Sequence, residues 1–217
     1  MGIYTAAVQK LYVAYFNRPA DALGLAFWEA QVATAGGSTA AVSAAFASSA
    51  EYAATYAGMS TVARVDAIYN NLFGRSAEPA GLTYWGNLID RGLISVSNAV
   101  TQIAAGAQGT DLTAYNNKVT AAAAFTAALD TTAEIVAYSG TTANAAAKTW
   151  LTGITTDATL TAATTTAALN ASVVTVTAAA VVVAAPVALT TSVDNLPGTA
   201  GNDTFNANPG ASNANTF

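Results

Sequence analysis

The apolar residues at the start of the chain follow the spacing of a helix. Five of them lie one, three or four positions apart, so they share one side of a 3.6-residue turn. Such a pattern predicts an amphipathic helix near the amino terminus, with these residues on its buried face: Val8, Leu11, Tyr12, Tyr15 and Phe16.

A loop is expected after this helix. Pro19 disfavours helical backbone at the residue before it, which predicts that the helix ends near Asn17 and Arg18. Asp21 has the side chain of a residue that caps a helix, so a second helix is expected to begin there. Three large apolar side chains then fall on one face of that second helix: Leu25, Trp28 and Val32.

The helix–loop–helix pattern occurs twice. Residues 11–32 resemble residues 68–89 when the chain is shifted by 57 positions, and a fixed shift of this kind indicates one structural unit used twice. Gly24 and Gly81 would each lie inside a helix, which predicts a close approach by a neighbour. The identical pairs are Tyr12/Tyr69, Phe16/Phe73, Arg18/Arg75, Ala20/Ala77, Gly24/Gly81, Leu25/Leu82 and Trp28/Trp85.

Further helices are predicted downstream. We expect one helix over residues 38–58, a cap at Ser60, and helices over 94–107, 111–129, 131–138, 142–151 and from 156 to about 170. The prediction is therefore an all-α, multi-helix domain over 1–185, in which the Thr and Val content leaves helix or strand open over 170–185. From Pro186 onward Pro, Gly, Asn and Ser dominate, so 186–217 is predicted to be an irregular or β-leaning linker that leads into another domain.

The composition excludes several kinds of chemistry. The chain has no His and no Cys, which removes Ser-His-Asp triads, Cys nucleophiles and Cys/His zinc sites. Only 9% of residues are charged and the net charge is -5, with scattered basic residues, so no nucleic-acid surface is expected. The apolar run at 178–189 is shorter than the roughly 20 residues that span a bilayer, and we expect no membrane insertion. These features predict a protein that is not an enzyme.

Two repeated features are candidates for glycan binding. Trp28 and Trp85 would stack on sugar rings, or would instead fill the core between helices. Arg18 and Arg75, in the loops, would bind an acidic sugar or phosphate, or would instead pair with an acid three residues on. The candidate glycan-binding residues are Asn17, Arg18, Asp21, Arg75, Glu78, Trp28 and Trp85.

A short turn near the end of the chain is a weak candidate for a metal site. Residues 198–206 read GTAGNDTFN, which resembles one calcium-binding repeat of the RTX type with Asp203 as the ligand. A single copy lacks the neighbouring turns that complete each ion's ligands, and a plain Asn-Asp turn explains it equally well. No other cofactor is expected in this chain, whereas calcium is expected in the full-length protein.

The patterns LYVAYFNRPADALGLAFW and IYNNLFGRSAEPAGLTYW, with the later AAGAQGTDLTAYNNKVTAAAAFT, resemble the domain family DUF4214 over roughly residues 1–130. That family is found in surface-layer proteins and in large secreted RTX-type adhesins of Gram-negative bacteria. The Ala/Thr-rich continuation and the GTAGNDTF turn also resemble the amino-terminal region of a Caulobacter-like surface-layer protein, so 186–217 would include the start of an RTX-like or lattice domain.

The resemblance implies an anchoring role at the outer cell surface. It implies type I secretion and an extracellular helical domain that binds lipopolysaccharide O-antigen, with copies of the protein associating in a lattice. The alternative is a helical interaction domain of a type I-secreted RTX-type adhesin that binds no glycan.

Overall fold

The computed structural model describes residues 2–180, and all of their regular structure is helical. The described helices belong to one compact unit, and the all-α prediction is confirmed for this part of the chain. The linker predicted at 186–217, with Asp203, lies outside the described residues. The helices are α1 (Thr5–Phe16), α2 (Ala22–Thr34), α3 (Ala40–Ala47), α4 (Ala50–Tyr56), α5 (Thr61–Phe73), α6 (Pro79–Asp90), α7 (Val96–Ala105), α8 (Gly109–Ala128), α9 (Thr132–Ala137), α10 (Gly140–Thr152), α11 (Asp157–Ala163) and α12 (Thr166–Ala180).

The single helix expected over 38–58 is wrong, because the chain forms α3 and α4 with a break between them. Ser49 has extended backbone, with φ −73° and ψ 150°, and its hydroxyl accepts a hydrogen bond from the Tyr52 N–H at 3.1 Å. A serine that caps a helix in this way competes with continuation of the preceding helix. The predicted cap at Ser60 is confirmed, since its hydroxyl accepts from the Ala63 N–H.

The Thr/Val-rich segment is helical further than its composition predicts. The helix expected from 156 to about 170 is divided into α11 and α12, and α12 continues to Ala180. Thr175 and Thr177 donate their hydroxyls to carbonyls four residues earlier, at 2.9 and 2.8 Å, which satisfies those groups inside the helix. Val173 and Val176 are buried, so packing outweighs the modest helix propensity of the β-branched residues.

The internal repeat is larger than the 22 residues that reveal it. Shifting α1 by 57 positions gives 62–73, close to α5, and the same shift takes α2 onto α6 and α3 onto α7. Shifting α4 gives 107–113, which overlaps the first turns of α8. The structural repeat is therefore α1–α4 followed by α5, α6, α7 and the start of α8.

Two apolar cores form toward opposite ends of α8. The main core gathers buried residues of α1, α5 and α7, together with Tyr115 and Val119 of α8. A smaller core joins Phe125 at the other end of α8 to Tyr138, α10 and α12. The long helix thus connects the repeats to the carboxy-terminal helices.

Candidate functional site

The first arginine loop, residues 17–21, is an internal ion-pair site. The Arg18 guanidinium makes a bidentate salt bridge with Glu51 of α4, with N–O distances of 2.7 and 2.8 Å. It also donates to the Pro19 carbonyl at 3.1 Å, while Asp21 lies 3.9 Å away. Burial is the largest single influence and acts to lower the pKa of Arg18, but its hydrogen bonds to Glu51 and its interactions with Tyr138 and the Glu51 charge together raise the pKa above its ordinary value. Asp21 mainly caps α2, accepting from the Gly24 N–H.

The second arginine loop, residues 74–78, repeats the same contacts. Arg75 makes a two-pronged contact with Asp111 in the first turn of α8, at 2.8 and 2.6 Å. It donates to the Ser76 carbonyl and to Glu78, both at 2.9 Å. Hydrogen bonds to Asp111 and then Glu78 raise the pKa of Arg75, and the hydrogen bond from Arg75 lowers the pKa of Glu78.

A tyrosine lies beneath each arginine and a glycine faces each tyrosine. Arg18 Cζ is 5.1 Å from the ring centre of Tyr12, and Arg75 Cζ is 5.2 Å from that of Tyr69. A Cβ at Gly24 would collide with the Tyr12 hydroxyl. The repeated glycine therefore makes room for a tyrosine hydroxyl, which specifies the close approach that its position inside a helix predicts.

One more contact occurs in both repeats, although different residue types make it. Gln9 Oε1 accepts from the Ala20 N–H at 3.1 Å, and Asp66 Oδ1 accepts from the Ala77 N–H at 2.9 Å. Positions 9 and 66 are 57 apart. A residue comparison misses the pair because an amide and a carboxylate perform the same hydrogen bond.

The two arginine loops differ in how far they are covered. The Arg18 side chain is 8% exposed and the Arg75 side chain is 42% exposed. The first loop is covered by Tyr138, whose hydroxyl donates to the Pro19 carbonyl at 2.7 Å, and by Thr126, which donates to the Ala20 carbonyl at 2.6 Å. Of the two loops, only the second presents its arginine to solvent.

A buried lysine connects the two repeats. Lys118 of α8 is 0% exposed and donates to the Asn17 side-chain oxygen at 3.1 Å and to the Asn71 carbonyl at 2.5 Å. Burial, followed by the charge of Lys148, lowers the pKa of Lys118 to about 7. Two acceptors match the two N–H groups of a neutral amine, so the geometry suits the uncharged lysine.

The candidate glycan residues therefore do not form one surface. Asn17 and Arg18 are buried and bonded inside the chain, whereas Arg75 and Glu78 are exposed at the second loop. Trp28 and Trp85 pack against the main core and are half-buried. The exposed rings are their neighbours, Phe27 at 55% and Tyr84 at 59%.

An open groove lies between α1, α3, α7 and α8. Its volume is about 1000 Å³, and its sides come from all four helices. Tyr15 and Tyr115 line it as buried side chains, and Lys10 is the one charged side chain among the described residues that line it. The other polar side chains on its wall are hydroxyls and amides: Ser38, Thr39, Ser43, Ser97, Asn98, Thr101 and Asn116.

No motif in the sequence predicts this groove. Its residues come from four helices and the loop before α3, have no common motif, and include none of the identical pairs of the repeat. The signal available in the sequence was the composition alone, with many Ser, Thr and Asn residues and few charges.

Two further properties concern residues 2–180 only. None of the helices there has the length and apolar character needed to cross a membrane. The same residues contain no cluster of three or more acidic side chains that could hold a metal ion.

Comparison with known proteins identifies a domain family. Two overlapping stretches, residues 5–56 and 43–108, match the family described as a domain of unknown function, DUF4214. No curated protein and no solved structure gives a significant match to the chain. The matched stretches contain both arginine loops and the helices from α1 to α7. The match over residues 5–108 supports the DUF4214 prediction made from the repeated motifs.

Proposed function

We propose that the helical domain anchors a secreted surface-layer protein to the outer surface of a Gram-negative cell by binding the O-antigen sugars of lipopolysaccharide. In this proposal the domain binds and does not catalyse. The observation that carries the proposal is the open groove between α1, α3, α7 and α8.

The wall of the groove has the chemistry that neutral sugars require. Sugar hydroxyls both donate and accept, and Ser, Thr and Asn side chains do the same. The side chains of Asn98 and Asn116 make no hydrogen bond to another described residue, so their amides are available to a ligand. Tyr15 and Tyr115 also line the groove but are 1% and 7% exposed, so the proposal rests on hydrogen bonding by the wall rather than on ring stacking.

The charges favour neutral or weakly acidic sugars over phosphorylated lipid. Lys10 gives the groove one positive charge and no carboxylate lines it among the described residues, although the chain as a whole carries a net charge of -5. One lysine is far from the cluster of basic residues that holds proteins to anionic surfaces. Affinity for one chain of sugars is therefore expected to be weak, with avidity from many copies in a lattice.

Binding to purified lipopolysaccharide with and without O-antigen tests this proposal. The chain should bind only the form with O-antigen, and binding should change little between low and physiological salt. Asn98→Ala and Asn116→Ala should weaken binding, by about 1 kcal/mol each for a lost hydrogen bond. Asn87→Ala, an exposed asparagine on α6 outside the groove, is the matched control and should bind normally. Equal binding to both forms of lipopolysaccharide would refute the proposal.

The second candidate is a helical interaction domain of a type I-secreted RTX-type adhesin. The exposed apolar rings and side chains of α2, which include Leu23 and Phe27, support a protein-contact role. Calcium would in either case belong to the RTX-like region around Asp203, outside the described residues. Absence of binding to every sugar of the cell surface would favour this candidate.

A further inference from the structure

The outward face of α2 is apolar. Leu23 is 69% exposed and Phe27 is 55% exposed, and Ala26 and Ala30 on the same face are also exposed. These four residues lie at positions i, i+3, i+4 and i+7, so they form one continuous stripe along the helix. We call them the α2 strip.

The second repeat provides an internal reference for this face. The positions equivalent to the α2 strip, 57 residues later, are Ala80, Thr83, Tyr84 and Asn87 on α6, and all four are exposed. Three of the four carry a polar group there, as a solvated helix face normally does. The same place in the fold is therefore apolar in one repeat and polar in the other, and exposed apolar stripes of this kind mark interaction sites.

The order of large and small residues makes the α2 strip complementary to itself. Along the helix it reads large, small, large, small. If two such helices pack antiparallel about a two-fold axis, Leu23 faces Ala30 of the other copy and Phe27 faces Ala26. Each large side chain then meets a small one, which is the arrangement that fills space between helices without voids.

The charges favour a second copy over a lipid surface. None of the four residues of the α2 strip is charged, and α2 contains no Lys or Arg. Attachment to anionic lipid uses basic residues, which are missing from this helix. Two copies that each carry a net charge of -5 repel least where they meet through an uncharged face.

We propose that two copies of this chain associate through the α2 strip, with their α2 helices packed antiparallel about a two-fold axis. The contact involves one helix from each copy, so the association is weak and depends on concentration. It is independent of the glycan proposal, because the α2 strip and the groove share no residue.

Sedimentation of the full chain over a range of concentrations tests the proposal. The native chain should form dimers as its concentration rises. The test variant replaces the strip by the residues of the second repeat, as Leu23→Ala, Ala26→Thr, Phe27→Tyr and Ala30→Asn. It should remain monomeric, with a dissociation constant raised at least about tenfold, equivalent to 1.4 kcal/mol. Its circular dichroism and melting temperature should stay close to those of the native chain, since α6 already carries these residues at equivalent positions.

Two controls make the outcome specific. Val174→Thr and Val136→Thr each remove an exposed valine from another surface and should leave the dimer intact. Leu23→Lys and Ala30→Glu should each weaken self-association, and mixing the two variants should restore a dimer because those positions face each other. A native chain that is monomeric at its highest soluble concentration, or a second-repeat variant that still dimerises, would overturn the proposal. Failure of the mixed variants to pair would overturn the antiparallel arrangement.

Discussion

The two arginine loops have the same contacts in different surroundings. Each arginine lies over a tyrosine, donates to the next carbonyl and makes a two-pronged contact with an acid in the fourth helix of its repeat. The first loop is covered by Tyr138 and Thr126, whereas the second is open. The repeated motif therefore specifies an ion pair that holds the loop in place. The helices that follow the repeats determine whether this ion pair is buried.

The two ion pairs have the same geometry, so the difference in burial should determine how much each contributes to the free energy of unfolding. The Arg18 side chain is 8% exposed and has given up most of its hydration, so removing it leaves Glu51 and Asp21, each 32% exposed, without their cation. An exposed pair of the same geometry competes with water and ions and contributes little. The same substitution should therefore reduce stability more at the first loop than at the second.

The largest difference is expected from removing each arginine. Arg18→Ala should lower the free energy of unfolding by about 2–3 kcal/mol, because a buried guanidinium is lost while Glu51, at 32% exposure, is partly solvated when left unpaired. Arg75→Ala, at the exposed loop, should cost about 1 kcal/mol or less. Urea denaturation of the two variants measures both values. Similar losses at the two loops would show that coverage by Tyr138 has little energetic effect.

The lysine between the repeats should make stability depend on pH. Its pKa is about 7 in the fold against an ordinary value of 10.5, so the unfolded chain binds more protons between these values and stability rises with pH in that window. The gain should be about 2 kcal/mol between pH 7.5 and pH 9.5, from one proton at 1.36 kcal/mol per unit with an allowance for partial titration. Urea denaturation at the two pH values measures it.

Lys118→Met is the control for this pH dependence. The variant should lose most of the slope, and the remainder should come from Lys148, whose pKa is also lowered by burial. An unchanged slope in Lys118→Met would mean that another group carries the effect.

Replacing Gly24 or Gly81 by Ala should also destabilise the first loop more than the second, but the difference should be smaller than for the arginines. A Cβ at Gly24 would meet the Tyr12 hydroxyl and the Asp21 carboxylate, which are held in the covered loop. A Cβ at Gly81 would lie 2.8 Å from the Tyr69 hydroxyl and 2.9 Å from Glu78, whose side chain is 50% exposed and free to move aside. Gly24→Ala should therefore cost about 2 kcal/mol and Gly81→Ala about 1 kcal/mol. Thermal denaturation compares them, and a larger loss at Gly81 would contradict the account.

The sequence predicted the helices better than the partners of the arginines. Helical spacing and caps placed α7 to α10 within two positions of their observed ends, since both signals are local. The acids three residues after each arginine were visible for the same reason. Glu51 and Asp111 were not, because they lie 33 and 36 residues away and occupy positions that are not equivalent under the 57-residue shift.

Sequence patterns were less informative where a single cap or tertiary packing determined the structure. The apolar spacing over 38–58 suited one helix, and the cap formed by Ser49 divided it. The Thr/Val content after 170 left helix or strand open, and burial of Val173 and Val176 stabilises the helix. Apart from Asn17, the candidate glycan residues were chosen because their positions repeat, and the repetition reflects the shared loop architecture rather than a shared exposed surface.

The measurement that tests the functional account most directly is a titration of the isotope-labelled chain with O-antigen polysaccharide, followed by backbone amide NMR. The account predicts that the shifts concentrate on the groove, at Ser97, Asn98 and Asn116, with little change at the second arginine loop around Arg75. Shifts confined to residues 74–78, or no shifts with any O-antigen polysaccharide, would contradict the assignment of the groove as the glycan site.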